Sequence, residues 1–266
     1  MNVTLSPPAT DAGFARWLAD QVAAELLRLR AETGFDEPAL LRKTADQRAH
    51  DLIVTLLTRW RPRDAVLSEE GVRDDARRLR AARVWIVDPL DGTREYGEPD
   101  RTDWAVHIAL WQGGSLVAGA VAMPARGLTL STESPPSYPE LWDGGTGRPL
   151  RVATSRTRPP ALLGRFAEAW DGAVEPVPMG SAGVKVCAVI SGTVDAYVHA
   201  GGQYEWDSAA PVAVATATGL YASRVDGSAL EYNQPDPSLP DLLVCRKDLA
   251  PRILAALDAA RAHPST

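Results

Sequence analysis

Residues 84–96 read VWIVDPLDGTREY. Four strand formers, Val84 to Val87, run into two aspartates three positions apart, Asp88 and Asp91, around Pro89-Leu90. Carboxylates at the end of an apolar strand are costly unless a cation meets them. Proline restricts the chain directly after the strand, so both side chains are expected on a stiff turn. Such spacing suits two oxygen ligands on one hard cation, or one carboxylate shared by two. Gly92-Thr93 then offers backbone N–H groups at the start of a helical turn, where a phosphate is favourably held. Acids repel phosphate, but a divalent cation such as Mg²⁺ between them turns the repulsion into a bridge. Taken alone, DPLDGT also fits a plain Asp-Pro turn with an Asx cap.

Other acids end elements in the same way. Glu69 and Glu70 close the short strand AVLSEE, and Asp207 opens a helix in EWDSAAP, where it would otherwise serve as a cap. Asp46 is expected in the first turn of a helix, where the plainer role is complementing the dipole. Five acids gathered at one place argue against a non-catalytic binding scaffold.

The elements that must position these acids are legible in outline. A first amphipathic helix is predicted with Asp11 as N-cap and Phe14, Trp17, Leu18, Val22, Leu26 and Leu29 on one stripe. A second is predicted from Thr44, where Thr44 and Gln47 have the form of a capping box, to just before Pro62. WAVHIALW, LVAGAVAM and LTLST, separated by QGGS and PARG, read as an antiparallel meander. GGTGRP at 144–149 is the expected boundary between lobes. Beyond it strand and helix alternate: LRVATS, RPPALLGRFAEAW, a GSAGVKVCAVISG helix, AYVHA, a helix from EWDSAAP closed by Gly219, and LLVCR.

Composition narrows the function. With 266 residues, 45% hydrophobic and 23% charged, the chain reads as an ordinary globular protein, and its net charge of −6 argues against coating nucleic acid. Cys187 and Cys245 lie in apolar contexts and are expected as buried free thiols. MNVTLSPPAT shows neither a signal peptide nor a lipidation motif, and no apolar run approaches the ~20 residues of a membrane span, so a cytoplasmic location is expected. His50, His107, His199 and His263 have neither metal-site spacing nor a serine or cysteine elbow nearby and read as structural.

SEE, DPLDGTREY and EWDSAAP, in that order and at these separations, resemble the inositol monophosphatase-like family of Mg²⁺-dependent, Li⁺-sensitive phosphatases. DGTREY is more similar to the DGTKEF form of its 3′(2′),5′-bisphosphate nucleotidases, the CysQ branch, than to the DGTxNF form of inositol monophosphatases. The resemblance runs from about Thr44 to Gly219. It implies an α/β fold, a layered αβαβα sandwich of the sugar/inositol phosphatase type. An N-terminal α+β lobe (1–148) would carry most metal ligands, and a C-terminal α/β lobe (149–266) would carry Asp207 and the nucleotide contacts.

Position by position, the resemblance implies metal ligation by Glu69, Asp88, Asp91, Asp207 and the backbone carbonyl of Leu90, with Asp88 bridging. Two Mg²⁺ ions are implied, and a third, weaker one near Glu69. Asp46 and Thr93 would orient the attacking water, the Gly92 and Thr93 amides would hold the scissile phosphate, and Asp207 would also lie against the substrate. Ser181 and Lys185 in GSAGVK match the element that contacts the nucleotide. The implied activity is hydrolysis of adenosine 3′,5′-bisphosphate to AMP and phosphate, in sulfate assimilation. The implied partners are a small phosphorylated substrate and a second copy of the chain in a homodimer, with no nucleic-acid polymer and no membrane.

The chain departs from the pattern in two places. FDEPALLRKTADQ replaces a lysine and a D-G-S-P-V-T-like turn, which alters the flap beside the third ion. His199 stands where many nucleotidases carry an arginine for the second phosphate, with Arg94, Arg101 and Arg126 as basic substitutes. Inositol 1-phosphate and fructose 1,6-bisphosphate, cleaved by the same metals, are the alternative substrates.

Overall fold

The structure is a computed structural model that describes residues 6–71, 77–138 and 147–262. Helices α1 (Asp11–Thr33) and α2 (Pro38–Trp60) open the chain. Strands β1 (Ala65–Ser68), β2 (Arg83–Asp91), β3 (Ala105–Gln112), β4 (Ser115–Met123) and β5 (Leu128–Ser131) follow, with the short helix α3 (Thr93–Tyr96) after β2. They form one sheet in the order β1-β2-β3-β4-β5, parallel between β1 and β2 and antiparallel beyond, which includes the expected meander.

The second half supplies β6 (Leu150–Ser155), α4 (Ala161–Ala169), β7 (Val174–Met179), α5 (Ala182–Ile190) and β8 (Ala196–Tyr204). It ends with α6 (Glu205–Thr218), β9 (Tyr221–Ser223), β10 (Ser238–Cys245) and α7 (Ala250–Ala262). Their sheet has the order β7-β6-β8-β10-β9.

Three apolar clusters stack these elements into layers. Phe14, Leu18, Val22 and Leu26 of α1 and Ile53 and Leu57 of α2 pack on the face of the first sheet that carries Trp85, Val87 and Ile108. Its opposite face, with Val84, Ile86 and Val121, meets α5 and α6, which also pack on the second sheet through Ala153, Tyr197 and Leu242. Phe166 of α4 and Ile253 and Leu257 of α7 cover the outer face of that sheet. The expected αβαβα sandwich is borne out. α6 lies so close to β4 that a Cβ on Gly119 would come 2.6 Å from the Cβ of Ala213.

Three local expectations need correction. α2 begins at Pro38, six residues before Thr44, because proline at the first helical position forgoes an N–H that has no helical partner anyway. Thr44 and Gln47 therefore lie inside the helix, and Gln47 Nε2 donates to Asp51 Oδ1 at 2.9 Å instead of closing a capping box. The cap of α1 is Thr10, whose Oγ1 accepts from Gly13 N at 3.1 Å, while Asp11 pairs with Arg83 at 2.8 Å. DPLD is part of β2 rather than a turn after it. The expected lobe boundary begins at residues 144–146, which lie outside the described residues, as does His263.

The third correction positions the site. On β2 the even residues Val84 and Ile86 face α5 and α6, whereas Trp85 and Val87 face α1 and α2. Side chains alternate along a strand, so aspartates three apart would point to opposite faces. The pairing avoids this: Asp88 pairs with His107 and Asp91 with Ala105, so Pro89 and Leu90 together oppose Val106 alone. This bulge carries one extra residue and restores Asp91 to the face of Asp88.

Candidate active site

That face looks onto the first turn of α6, where Asp207 sits. Oxygens of Asp88, Asp91 and Asp207 lie within 4.8 Å of one another. Each carboxylate is fixed by the backbone. Leu90 N donates to Asp88 Oδ1 at 3.0 Å, and Tyr204 N to Asp207 Oδ2 at 2.7 Å. Asp91 Oδ2 accepts from Gly183 N at 2.8 Å and from Ser181 Oγ at 2.5 Å.

Burial in this company disfavours negative charge. Burial, then Glu69, Asp91 and Asp207, pushes Asp88 well above the ordinary carboxylate range. Burial and Asp207 raise Glu69, in the turn after β1, to about 7. Burial and Glu70 raise Asp46 of α2 to about 7, and burial with Asp91 raises Asp207 to about 6. Asp91 alone goes the other way: burial pushes it up, but His107, Lys185 and Ser181 outweigh this and hold it below its usual value.

These residues fit a hard divalent cation on the chemistry of their donors. All are oxygens, four carboxylates and the Leu90 carbonyl, and the acids carry more negative charge than Lys185 and His107 can balance. The Leu90 carbonyl accepts from Thr93 Oγ1 at 3.0 Å, and Asp46 Oδ1 is a second acceptor for the same hydroxyl at 3.4 Å. All the expected acids thus share one electrostatic neighbourhood, although only three have oxygens in mutual reach.

A cleft of about 580 Å³ opens from this cluster. Asp91, Gly92, Thr93, Lys185 and Asp207 line its inner end. Lys185 is buried, and its Nζ donates to the Ser181 and Gly180 carbonyls at 2.8 and 3.2 Å. Ser181 also lines the cleft, but its hydroxyl proton goes to Asp91 and its oxygen accepts from Val184 N at 3.0 Å. Farther out lie Arg158 and His199, whose Nε2 is 3.2 Å from the Gly202 carbonyl. Of the basic substitutes expected from the sequence, Arg94 lines the cleft, whereas Arg101 pairs with Asp103 and Arg126 donates to the Thr102 carbonyl.

One residue read as merely structural belongs to the site. His107 is fully buried; its Nδ1 donates to the Trp206 carbonyl at 3.1 Å, and its Nε2 lies 3.2 Å from Asp91 Oδ2 in an oblique polar contact. Its parity on β3, two residues from Ala105, was the available signal: once the bulge is known, His107 must share the aspartates' face. His50 remains outside this site, its Nδ1 3.0 Å from Ser68 Oγ.

The fold and this acid set define a class, and comparison with known proteins agrees. The model of the inositol monophosphatase family matches residues 14–136 and 150–262. The chain belongs to that family. It is 50% identical over 257 residues to a 3′-phosphoadenosine 5′-phosphate phosphatase of Mycobacterium leprae, covering 93% of both chains. It is 53% identical over 238 residues to the protein of that name in Mycobacterium bovis, covering 87% of each. Among solved structures, CysQ from Bacteroides thetaiotaomicron superposes with a TM-score of 0.73 at 26% identity, over 88% of this chain and 96% of that one. The expected phosphoric monoester hydrolase of the bisphosphate nucleotidase branch is borne out by these matches. Among the described residues no helix is long and apolar enough to cross a membrane.

Proposed function

We propose that this chain removes the 3′-phosphate from adenosine 3′,5′-bisphosphate by attack of water, using Mg²⁺ held by Glu69, Asp88, Asp91, Asp207 and the Leu90 carbonyl. The observation that carries this reading is the convergence of three carboxylates from β2 and α6 within 4.8 Å at the inner end of a cleft with basic groups farther out. Glu69, Asp88, Asp91, Asp207 and the Leu90 carbonyl would hold two ions, and Glu69 would serve a third. When bound, Mg²⁺ supplies Lewis-acid activation of water and neutralises charge on the phosphoryl and leaving oxygens.

The remaining work falls to the chain's own groups. Thr93 Oγ1 has one proton and two acceptors, Leu90 O at 3.0 Å and Asp46 Oδ1 at 3.4 Å. Were the Leu90 carbonyl to ligate a cation, the Thr93 hydroxyl would donate its hydrogen bond to Asp46, leaving the Thr93 oxygen to accept from the attacking water. The Gly92 and Thr93 amides hold the scissile phosphate. Lys185 donates two of its three N–H bonds to carbonyls, so the third is available to the substrate in the cleft. Arg158 and His199 at the outer end provide the recognition of a second phosphate that distinguishes a bisphosphate from a monoester.

In this reading residues 1–148 supply most of the ligands, and residues 149–266 supply Asp207, Lys185 and the outer wall. The protein works in the cytoplasm as a homodimer on a small phosphorylated substrate, independently of nucleic-acid polymers and membranes, and clears a by-product of sulfate assimilation. The test is phosphate release with Mg²⁺ from adenosine 3′,5′-bisphosphate, inositol 1-phosphate and fructose 1,6-bisphosphate at equal concentration. The nucleotide is expected to lead in kcat/KM by about tenfold or more, the worth of one charge-assisted contact. A lead of that size for either other substrate overturns the assignment.

A further inference from the structure

Three polar groups, two from the start of α5 and one from β3, converge on one oxygen, Asp91 Oδ2. Ser181 Oγ, the cap of α5, donates at 2.5 Å, and Gly183 N in its first turn donates at 2.8 Å. His107 Nε2 approaches from β3 at 3.2 Å. Among the described residues Asp91 Oδ1 receives no hydrogen bond from the protein. A carboxylate enclosed in this way cannot turn over, so it presents one defined oxygen to whatever its other side faces.

His107 completes the enclosure and ties it to α6. Its Nδ1 donates to the carbonyl of Trp206, the residue before Asp207. One imidazole thus touches the carboxylate of one proposed ligand and the backbone beside another. The neighbouring chain makes room for the ring: a Cβ at position 183 would lie 2.0 Å from His107 Nε2, so only glycine is compatible with the ring where it stands. The side chain is fully buried and does not line the cleft, which separates it from the substrate contacts.

We propose that His107 is a positioning residue that, with Ser181 and the Gly183 amide, retains Oδ2 of Asp91 and directs Oδ1 to the cation. The inference rests on the metal-dependent reading of the site. It reassigns Ser181, whose proton is committed to Asp91, from the substrate to the ligand's support. Groups that orient a metal's ligands govern affinity without touching the ion.

The experiment is a calorimetric titration of Mg²⁺ into the purified full chain without substrate, for the native protein, His107→Asn and His107→Gln. An asparagine amide reaches about as far as Nδ1, keeping the Trp206 carbonyl contact and losing Asp91; a glutamine amide reaches as far as Nε2. His107→Asn is expected to weaken Mg²⁺ binding about tenfold or more, and His107→Gln to stay within about threefold of native. In assays, the Mg²⁺ concentration for half-activation should rise for Asn, with KM for the nucleotide at saturating Mg²⁺ unchanged. A purely structural role would lower Tm in both variants and leave their Mg²⁺ affinities alike, and that result overturns the proposal. Should either histidine variant fail to fold, Ser181→Ala removes a donor to the same oxygen from the other side and must weaken Mg²⁺ binding; native affinity in Ser181→Ala overturns the proposal equally. Asp88→Asn separates the two levels of inference: if it too binds Mg²⁺ like the native chain, the metal reading has failed, not only the role of His107.

Discussion

The inner and outer ends of the cleft differ in how their charges are held. At the inner end Asp88, Asp91 and Asp207 each accept at least one backbone hydrogen bond, and the chain reaches them through a bulge, a helix cap and a helix first turn. At the outer end Arg158 stands exposed on the loop after β6, its guanidinium without a hydrogen-bond or ion-pair partner among the described residues, in a wall that also includes Gly201 and Gly202 of β8. Fixed, buried charges with one excess sign suit a cation and the reaction at phosphorus. An exposed cation with no fixed partner suits recognition of a substrate that arrives from solvent. The comparison predicts that inner variants change kcat or metal binding, whereas outer variants change KM.

The largest effect should follow from Asp88→Asn, which removes the charge that the others crowd around. We expect kcat to fall by about a thousandfold or more while Tm of the metal-free protein holds or rises, since a raised, buried carboxylate is itself destabilising. Near-native turnover would break the contrast at its inner end. Thr93→Ala, which takes away the hydroxyl that orients water, should lower kcat by about a hundredfold, and Thr93→Ser should restore much of it. Equal losses in both would remove the hydroxyl from the mechanism.

Arg158→Ala should raise KM for adenosine 3′,5′-bisphosphate by about tenfold and leave cleavage of a nucleoside monophosphate nearly unchanged, consistent with one lost charge-assisted contact. A fall in kcat for both substrates would instead put Arg158 in the inner machinery.

A smaller effect, on stability, has a definite sign. Asp88, Glu69, Asp46 and Asp207 have folded-state values raised above their unfolded ones, three of them to about 7, 7 and 6. Below both values neither state is ionised and no penalty applies. As pH rises through the unfolded value near 4, only the unfolded chain ionises, so stability falls until pH passes the folded values. Asp91, with its lowered value, contributes the opposite slope only in acid, as pH drops through that value. Tm of metal-free protein should therefore fall between pH 5 and pH 8, and added Mg²⁺ should raise it more at pH 8 than at pH 5. A flat profile with equal Mg²⁺ effects would show that the acids do not compete for charge.

The same division marks what was readable from sequence. DPLDGT, SEE and EWDSAAP identified the acids because residue type and spacing are local facts, and Gly219 marked the end of α6 for the same reason. The bulge at Pro89-Leu90 was not readable, since it exists only in the pairing of β2 with β3, and without it the parity of Asp91 and His107 stays hidden. The start of α2 at Pro38 was obscured by a stronger-looking cap six residues later. β7, VEPVPM, went unread because its two prolines argue against a strand; it is tolerated at the sheet edge, where an N–H can be missing. α7 went unread as well, its apolar residues gaining meaning only from α4 and the second sheet. Ser181 and Lys185 were found by motif, but their bonds to Asp91 and to carbonyls belong to the tertiary fold.

The central claim, that acids brought together by β2 and α6 hold divalent cations over a phosphorus centre, is tested most directly by anomalous diffraction from crystals grown with Mn²⁺ in place of Mg²⁺. We predict peaks within coordination distance of Asp88, Asp91 and Asp207, lost in crystals of Asp88→Asn. A fully occupied map with no peak among those three side chains would contradict the account.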